Sequence, residues 1–137
     1  MRSRTIVTRI VIADDDPDTL DLLRRALQSP ANEILEAASG AELVQLLAES
    51  GPFDLIVTDI HMPWMQGLDV LLSARAAEVG TPALIITGAS RDDLPARVAR
   101  LGKARLLYKP FEIANLRAAV TELIDQANDQ WPQTNDQ

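Results

Sequence analysis

The sequence predicts an α/β fold: a single doubly wound (βα)5 unit, with a five-stranded parallel sheet and helices on both faces. Three observations lead there. Short β-rich apolar runs alternate five times with stretches of helical spacing. Three of those runs, Ile10-Val11-Ile12, Leu55-Ile56-Val57 and Leu84-Ile85-Ile86, are apolar on consecutive residues, as strands covered on both sides must be. Finally, 137 residues with 47% hydrophobic and 24% charged side chains suit one domain with a sizeable core. Such alternation calls for a parallel sheet with right-handed crossovers. Periodicity leaves the strand order open.

The expected strands are Arg9–Ala13, Glu33–Ala37, Leu55–Thr58, Ala83–Thr87 and Arg105–Tyr108. The first helix starts at Asp16-Pro17, where aspartate can cap and proline suits the first helical position, and carries Leu20, Leu23 and Leu27 on one stripe. Ser39 with Glu42 three residues on forms a capping box for the second, which carries Leu43, Leu46 and Leu47. A third follows Gly67 through Val70, Leu71 and Ala74. The fourth spans Asp93–Leu101 and must accommodate Pro95 in its first turn. Ile113, Leu116, Val120 and Leu123 mark the fifth. Residues 1–8 read as an N-terminal extension, 9–127 as the domain, and 128–137 as a loose polar tail without hydrophobic period.

Composition removes whole classes of chemistry. No cysteine means no disulfide, thiolate nucleophile, cysteine-ligated zinc or iron–sulfur cluster, and a single histidine, His61, excludes a poly-histidine metal site. There is no Gly-x-Ser-x-Gly elbow. A formal charge of −7 argues against nucleic-acid binding by this domain. Neither a signal-peptide core nor an apolar run approaching the ~18 residues of a membrane span is present, so the default expectation is a cytoplasmic protein with no membrane partner.

In an open parallel sheet, ligands bind at the carboxyl ends of the strands. Those ends carry Asp14-Asp15-Asp16, Thr58-Asp59, Thr87-Gly88 and Lys109-Pro110. If the strands concerned are neighbours, carboxylates, a hydroxyl and an ammonium meet at one rim. Two carboxylates about 5 Å apart repel by roughly 3 kcal/mol at an effective dielectric of ~20. They must protonate, find Lys109 or bind a hard cation. Magnesium suits phosphoryl transfer, and aspartate is a competent nucleophile for forming an acyl phosphate. The cluster therefore reads as a phosphoryl-accepting site, with Thr87 and Lys109 placed to bind phosphoryl oxygens.

These segments resemble a known family, the response-regulator receiver domains of two-component signalling, with the CheY-like form of the flavodoxin-type fold. The resemblance is carried by Ile10 to Pro17, Phe53 to Pro63, Ile85-Ile86-Thr87-Gly88 and Tyr108-Lys109-Pro110-Phe111, in order and with matching spacing, over about Thr8 to Ile124. It implies that Asp59 is the phosphoacceptor. It further implies that Asp15, Asp59 and the His61 backbone carbonyl ligate magnesium or manganese, with Asp14 acting through water. Thr87 then matches the switch hydroxyl and Lys109 the lysine that pairs with the phosphoryl group, and the Lys109-Pro110 peptide is expected to be cis. The implied partners are a sensor histidine kinase or histidine phosphotransfer protein as donor and a downstream protein. A phosphorylation-dependent homodimer is a further option. The family's output face is built from the fourth helix, fifth strand and fifth helix, where this chain places Arg97, Arg100, Lys103 and Arg105.

Two departures stand out. Leu106 occupies the position, three before the lysine, where the family usually has an aromatic switch residue. Tyr108 is aromatic and shares its facing by strand alternation. Gln66 stands where aspartate is frequent before Gly67. Of the remaining residues, Asp16 reads as a helix cap and the His61 side chain as a solvent-facing loop group. Trp64 and Met65 read as packing, and Trp131 as a tail residue that folds back or meets a partner. The expected function is a phosphorylation-dependent switch with only self-directed phosphotransfer and autodephosphorylation, not a metabolic enzyme. Alternatives are a phosphorylation-independent interaction module and the N-terminal receiver of a longer regulator with a DNA-binding or enzymatic output. A flavodoxin-type flavin binder is disfavoured, because three aspartates stand where a flavin phosphate would need a glycine-, serine- or threonine-rich loop.

Overall fold

Short β-rich runs with no polar face suit the middle of a sheet covered on both sides, and that is where the chain puts them. A computed structural model describes residues 7–60, 67–76, 80–88 and 93–135. In chain order the elements are β1 (Thr8–Ala13), α1 (Pro17–Leu27), β2 (Asn32–Ala37), α2 (Gly40–Glu49), β3 (Leu55–Asp59), α3 (Gly67–Ala76), β4 (Ala83–Thr87), α4 (Leu94–Leu101), β5 (Ala104–Tyr108) and α5 (Ile113–Asn135). The strands pair in parallel in the order β2-β1-β3-β4-β5. Every residue of β3 and β4 is buried.

Alternation along the strands sorts the core into two layers. Ile10, Ile12, Leu55, Val57, Leu84 and Ile86 pack with Leu20, Leu23 and Leu27 of α1 and Leu116, Val120 and Leu123 of α5. Val11, Ala13, Ile56, Ala83 and Ile85 pack with Leu43 of α2, Val70 and Leu71 of α3, and Leu94, Val98 and Leu101 of α4. Each fully buried Leu or Ile contributes about 1.5–3 kcal/mol, so the two layers together supply the main driving force. Among the described residues, no helix is long and apolar enough to cross a membrane.

The helix starts follow the sequence signals. Asp16 accepts the Asp18 amide at 3.1 Å and the Thr19 hydroxyl at 3.0 Å, with Pro17 in the first turn. Ser39 Oγ accepts the Glu42 amide at 3.1 Å, while Glu42 Oε1 reaches back to the Ala38 amide at 2.7 Å. Pro95 fits the first turn of α4, where no intrahelical partner for its missing N–H exists. One expectation is corrected: the helical backbone of α5 continues to Asn135, through the stretch from Asn128 expected as a loose tail. Once a helix is nucleated, each further residue with an amide adds a hydrogen bond, so it can outrun its amphipathic segment; in this stretch Pro132 alone brings no amide.

The amino-terminal pole of the sheet is tied together by Arg9. Its Nε donates to Glu33 Oε1 at 3.0 Å, and Nη1 donates to the carbonyls of Ser50 at 2.5 Å and Pro52 at 2.8 Å. The guanidinium lies 4.8 Å from the Phe53 ring centre, and the Arg9 amide donates to Asp54 Oδ2 at 2.8 Å. On the edge strand β2, Glu33 and Glu36 pair with Arg9 and Arg24, and charges of this kind blunt an exposed edge.

Candidate functional site

With β1 and β3 adjacent and β4 and β5 next in order, the four polar strand ends do converge. Asp14 follows the last residue of β1 and is 1% exposed; Asp59 ends β3 and Thr87 ends β4, both buried. Asp15 is exposed beside them. One carboxylate oxygen from each of Asp14, Asp15 and Asp59 lies within 4.8 Å of the others. Lys109 enters from the end of β5 and donates from Nζ to Asp14 Oδ2 and Asp59 Oδ2, each at 3.0 Å. The Lys109–Pro110 peptide is cis, as the resemblance implies.

Backbone geometry fixes these side chains. Asp14 Oδ1 accepts the Asp16 amide at 2.9 Å, a local turn that aims the carboxylate. The Lys109 amide donates to the Thr87 carbonyl at 2.8 Å, locking the root of the lysine to the strand that carries Thr87. Asp59 is in register with Ile86, one residue before Thr87, and Thr87 is in register with Tyr108. By parity, Asp14, Asp59 and Lys109 belong with the layer under α1 and α5, whereas Thr87 and Tyr108 belong with the layer under α4.

The electrostatics are unbalanced. Burial pushes the Asp14 carboxyl above its ordinary value and the nearby Asp59 charge adds to that, against the pull of the Asp16 amide and Lys109. For Lys109, burial alone would draw the ammonium down. Its hydrogen bonds to Asp59 and Asp14 outweigh burial and hold it above its ordinary value. One ammonium faces three carboxylates, so full ionisation leaves a surplus of two negative charges for a divalent cation to match. The donor set is all oxygen, as hard cations require, and magnesium needs only one or two protein carboxylates while keeping waters. The residues present fit such an ion.

A match to the family model described as "Response regulator receiver domain" covers residues 10–121 and includes every one of these positions. The chain is a receiver domain of that family. It is 36% identical over 118 residues to "Transcriptional regulatory protein PrrA" of Mycobacterium bovis, covering 85% of this chain and 49% of that protein. It is 35% identical over 118 residues to "Response regulator MprA" of Mycobacterium sp. strain KMS, covering 85% and 50%. The receiver therefore spans about half the length of these curated relatives. Among solved structures, a CheY-like receiver domain from Methanospirillum hungatei superposes with a TM-score of 0.82 at 26% identity, over 90% of this chain and 98% of that one. Receiver domains serve two-component phospho-signalling, bind magnesium through an acidic pocket and are in general non-enzymatic modules.

Other positions named from the sequence disperse. Leu106 is half-buried against the layer containing Leu94, Val98 and Leu101, while Tyr108 is 41% exposed at the end of the same strand. The basic stretch divides: Arg97 faces Asp93 at 3.9 Å within α4, Arg105 pairs across with Glu122 of α5, and Arg100 and Lys103 are exposed. His61, Trp64, Met65 and Gln66, and the side chain of Trp131, lie outside the described residues. Sequence reasoning missed the Asp16 amide as a positioning group. Its signal was available, since a short carboxylate bonding the backbone two residues on is a common turn pattern.

Proposed function

We propose that this receiver is a magnesium-dependent switch whose Asp59 accepts a phosphoryl group from a phosphohistidine on a sensor kinase or phosphotransfer protein. The observation that carries the reading is Lys109 held 3.0 Å from both Asp14 and Asp59 inside the acidic cluster at the sheet's carboxyl rim. In the transfer, an Asp59 carboxylate oxygen attacks phosphorus as the phosphorus–nitrogen bond to the donor imidazole breaks, and the imidazole leaves with the electron pair. Asp15 and Asp59, with the His61 carbonyl, would hold the ion directly, and Asp14 through water. Bound there, a divalent cation neutralises charge on the transferring oxygens. Lys109 binds a phosphoryl oxygen and Thr87 turns its hydroxyl toward the group, which shifts a pre-existing equilibrium of the α4-β5-α5 face. Attack of water on phosphorus releases inorganic phosphate and restores the carboxylate.

Leu106 is packed against the layer under α4, and the register of the exposed Tyr108 with Thr87 supports a reading in which Tyr108 follows the switch in its stead. The exposed Arg100 and Lys103, with Arg97 and Arg105, favour a downstream partner with acidic groups. A second reading is favoured by the names and lengths of the relatives. In that reading the switch governs transcription through an output domain, in the same or another polypeptide, and phosphorylation pairs two copies of the receiver. The sequence-based expectation of a cytoplasmic setting is part of the proposal, since the histidine donors act there.

The test is intact mass after incubation with a small phosphodonor, with and without magnesium, on the parent and Asp59→Asn. A magnesium-dependent gain of one phosphate in the parent alone is expected. A parent that stays folded and gains nothing would instead support a phosphorylation-independent interaction module.

A further inference from the structure

Among the described residues, the buried polar or charged ones are Asp14, Asp59, Thr87 and Thr58. The first three have a place in the proposed transfer; Thr58 has none so far. It precedes Asp59 in β3 and is in register with Ala13 of β1 and Ile85 of β4. By parity with Ile56 it belongs to the apolar layer that holds Val11, Ala13 and Ile85, under α2, α3 and α4. Valine has nearly the same shape and would bury there without a polar atom. A hydroxyl in such a layer costs free energy unless it is hydrogen-bonded. Here Oγ1 donates to the backbone carbonyl of Asp59 at 2.8 Å, in a buried setting.

That bond joins two neighbours whose side chains belong to opposite sides of the sheet. The Asp59 carboxylate lies with the layer under α1 and α5, where Lys109 meets it at 3.0 Å; Thr58 lies with the other. A donor on residue 58 and an acceptor on residue 59 restrain the backbone dihedrals between them. Those dihedrals set the direction in which the Asp59 side chain leaves the strand. Threonine is branched at Cβ and stiff at χ1, so a methyl packed in the apolar layer also holds the hydroxyl in place. Precision of this kind matters for attack on phosphorus, since a misplacement of about 1 Å can cost on the order of 10²-fold in rate.

We propose that Thr58 is a positioning residue, whose hydroxyl holds the Asp59 carbonyl from the far face of the sheet and so keeps the acceptor carboxylate aimed for attack. It acts through Asp59 and touches neither the phosphoryl group nor a cation. The inference rests on the phosphoacceptor reading of Asp59.

Phosphate gain is followed by intact mass over time, in the whole chain with magnesium, across a series of acetyl phosphate concentrations. The chains compared are the parent, Thr58→Val, Thr58→Ser and Thr58→Ala, with urea midpoints measured alongside. Thr58→Val keeps the shape and loses the hydroxyl. Its rate at saturating donor should fall by roughly 10-fold or more, with the half-saturating concentration unchanged. Thr58→Ser keeps the hydroxyl and gives up a methyl from the apolar layer, so its urea midpoint should fall while its rate stays near the parent's. Rate and stability then rank the variants differently, which a merely structural role would not produce.

A parent rate in Thr58→Val would overturn the proposal. So would equal slowing in Thr58→Val and Thr58→Ser, an effect confined to the half-saturating concentration, or rates that follow the urea midpoints through all the variants. Each of those leaves the phosphoacceptor reading standing. A folded parent that gains no phosphate removes both. Should Thr58→Val fail to fold, Thr58→Ser against Thr58→Ala decides, because both lose the methyl and only serine keeps the hydroxyl. A slow alanine variant beside a fast serine one is the expected result, and equal rates would sink the idea.

Discussion

The two poles of the sheet use charge in opposite ways. At the amino pole, the Arg9 guanidinium is met by Glu33, by the Ser50 and Pro52 carbonyls and by the Phe53 ring, a set that satisfies it and asks for nothing more. At the carboxyl pole, three carboxylates crowd around one ammonium, two of them buried, and one of those held above its ordinary protonation range by burial. The first arrangement stabilises the chain as it stands. The second carries a surplus of negative charge, which an added divalent cation would match.

Substitutions at each pole should separate these roles. The largest stability effect is expected for Arg9→Met, which removes three hydrogen bonds from a charged donor together with the contact on the Phe53 ring and should cost about 3 kcal/mol in chemical denaturation. It should leave phosphate gain and magnesium response unchanged. Lys109→Met should cost about 2 kcal/mol without magnesium, because it removes the ammonium to which both buried carboxylates, Asp14 and Asp59, are hydrogen-bonded. Here added magnesium should recover part of the loss, and a variant that magnesium cannot help would break the contrast between the poles.

Smallest, and opposite in sign, is Asp14→Asn, expected to stabilise the magnesium-free protein near neutral pH by less than Lys109→Met costs it. The sign follows from the raised pKa of Asp14 in the folded state. Its contribution to stability is fully present below the unfolded value and is lost as pH rises through the folded one. Melting curves of parent and variant should therefore converge in acid and separate, with the variant higher, as pH rises through the raised Asp14 pKa. A gap that shrinks as pH rises would show that Asp14 is a stabilising anion.

Much of the carboxyl pole was legible in the sequence because its residues sit at strand ends, where fold class alone says ligands bind. The alternation of strands and helices marks Asp14, Asp15, Asp59, Thr87 and Lys109 as strand-end residues, while their meeting at one rim depended on strand order. The amino pole was invisible. Arg9 reaches partners at Glu33, Ser50, Pro52 and Asp54 that no periodicity links to it, and an arginine at a strand start looks like any surface cation. The hydrogen bonds that Arg75 of α3 donates to the Leu101 and Gly102 carbonyls at the end of α4 were hidden for the same reason. Strand order belongs to this class too, since it depends on which buried edges meet rather than on any local pattern. The tail was misread differently: absence of an apolar stripe says a helix will not dock, not that its backbone stops.

Because a strand counts its side chains in twos, the alternation along β3, β4 and β5 behaves like a reading frame. Asp59 and Lys109 fall in one frame and Thr87 and Tyr108 in the other, so in the proposed switch a signal handed from Asp59 to Thr87 would cross from one side of the sheet to the other in a single step. Removing one residue from within Ala83–Thr87 would leave the composition nearly intact, yet it would transfer the threonine hydroxyl to the side covered by α1 and α5. The strands near the rim can thus accept many exchanges of one apolar residue for another, but their lengths are part of the message.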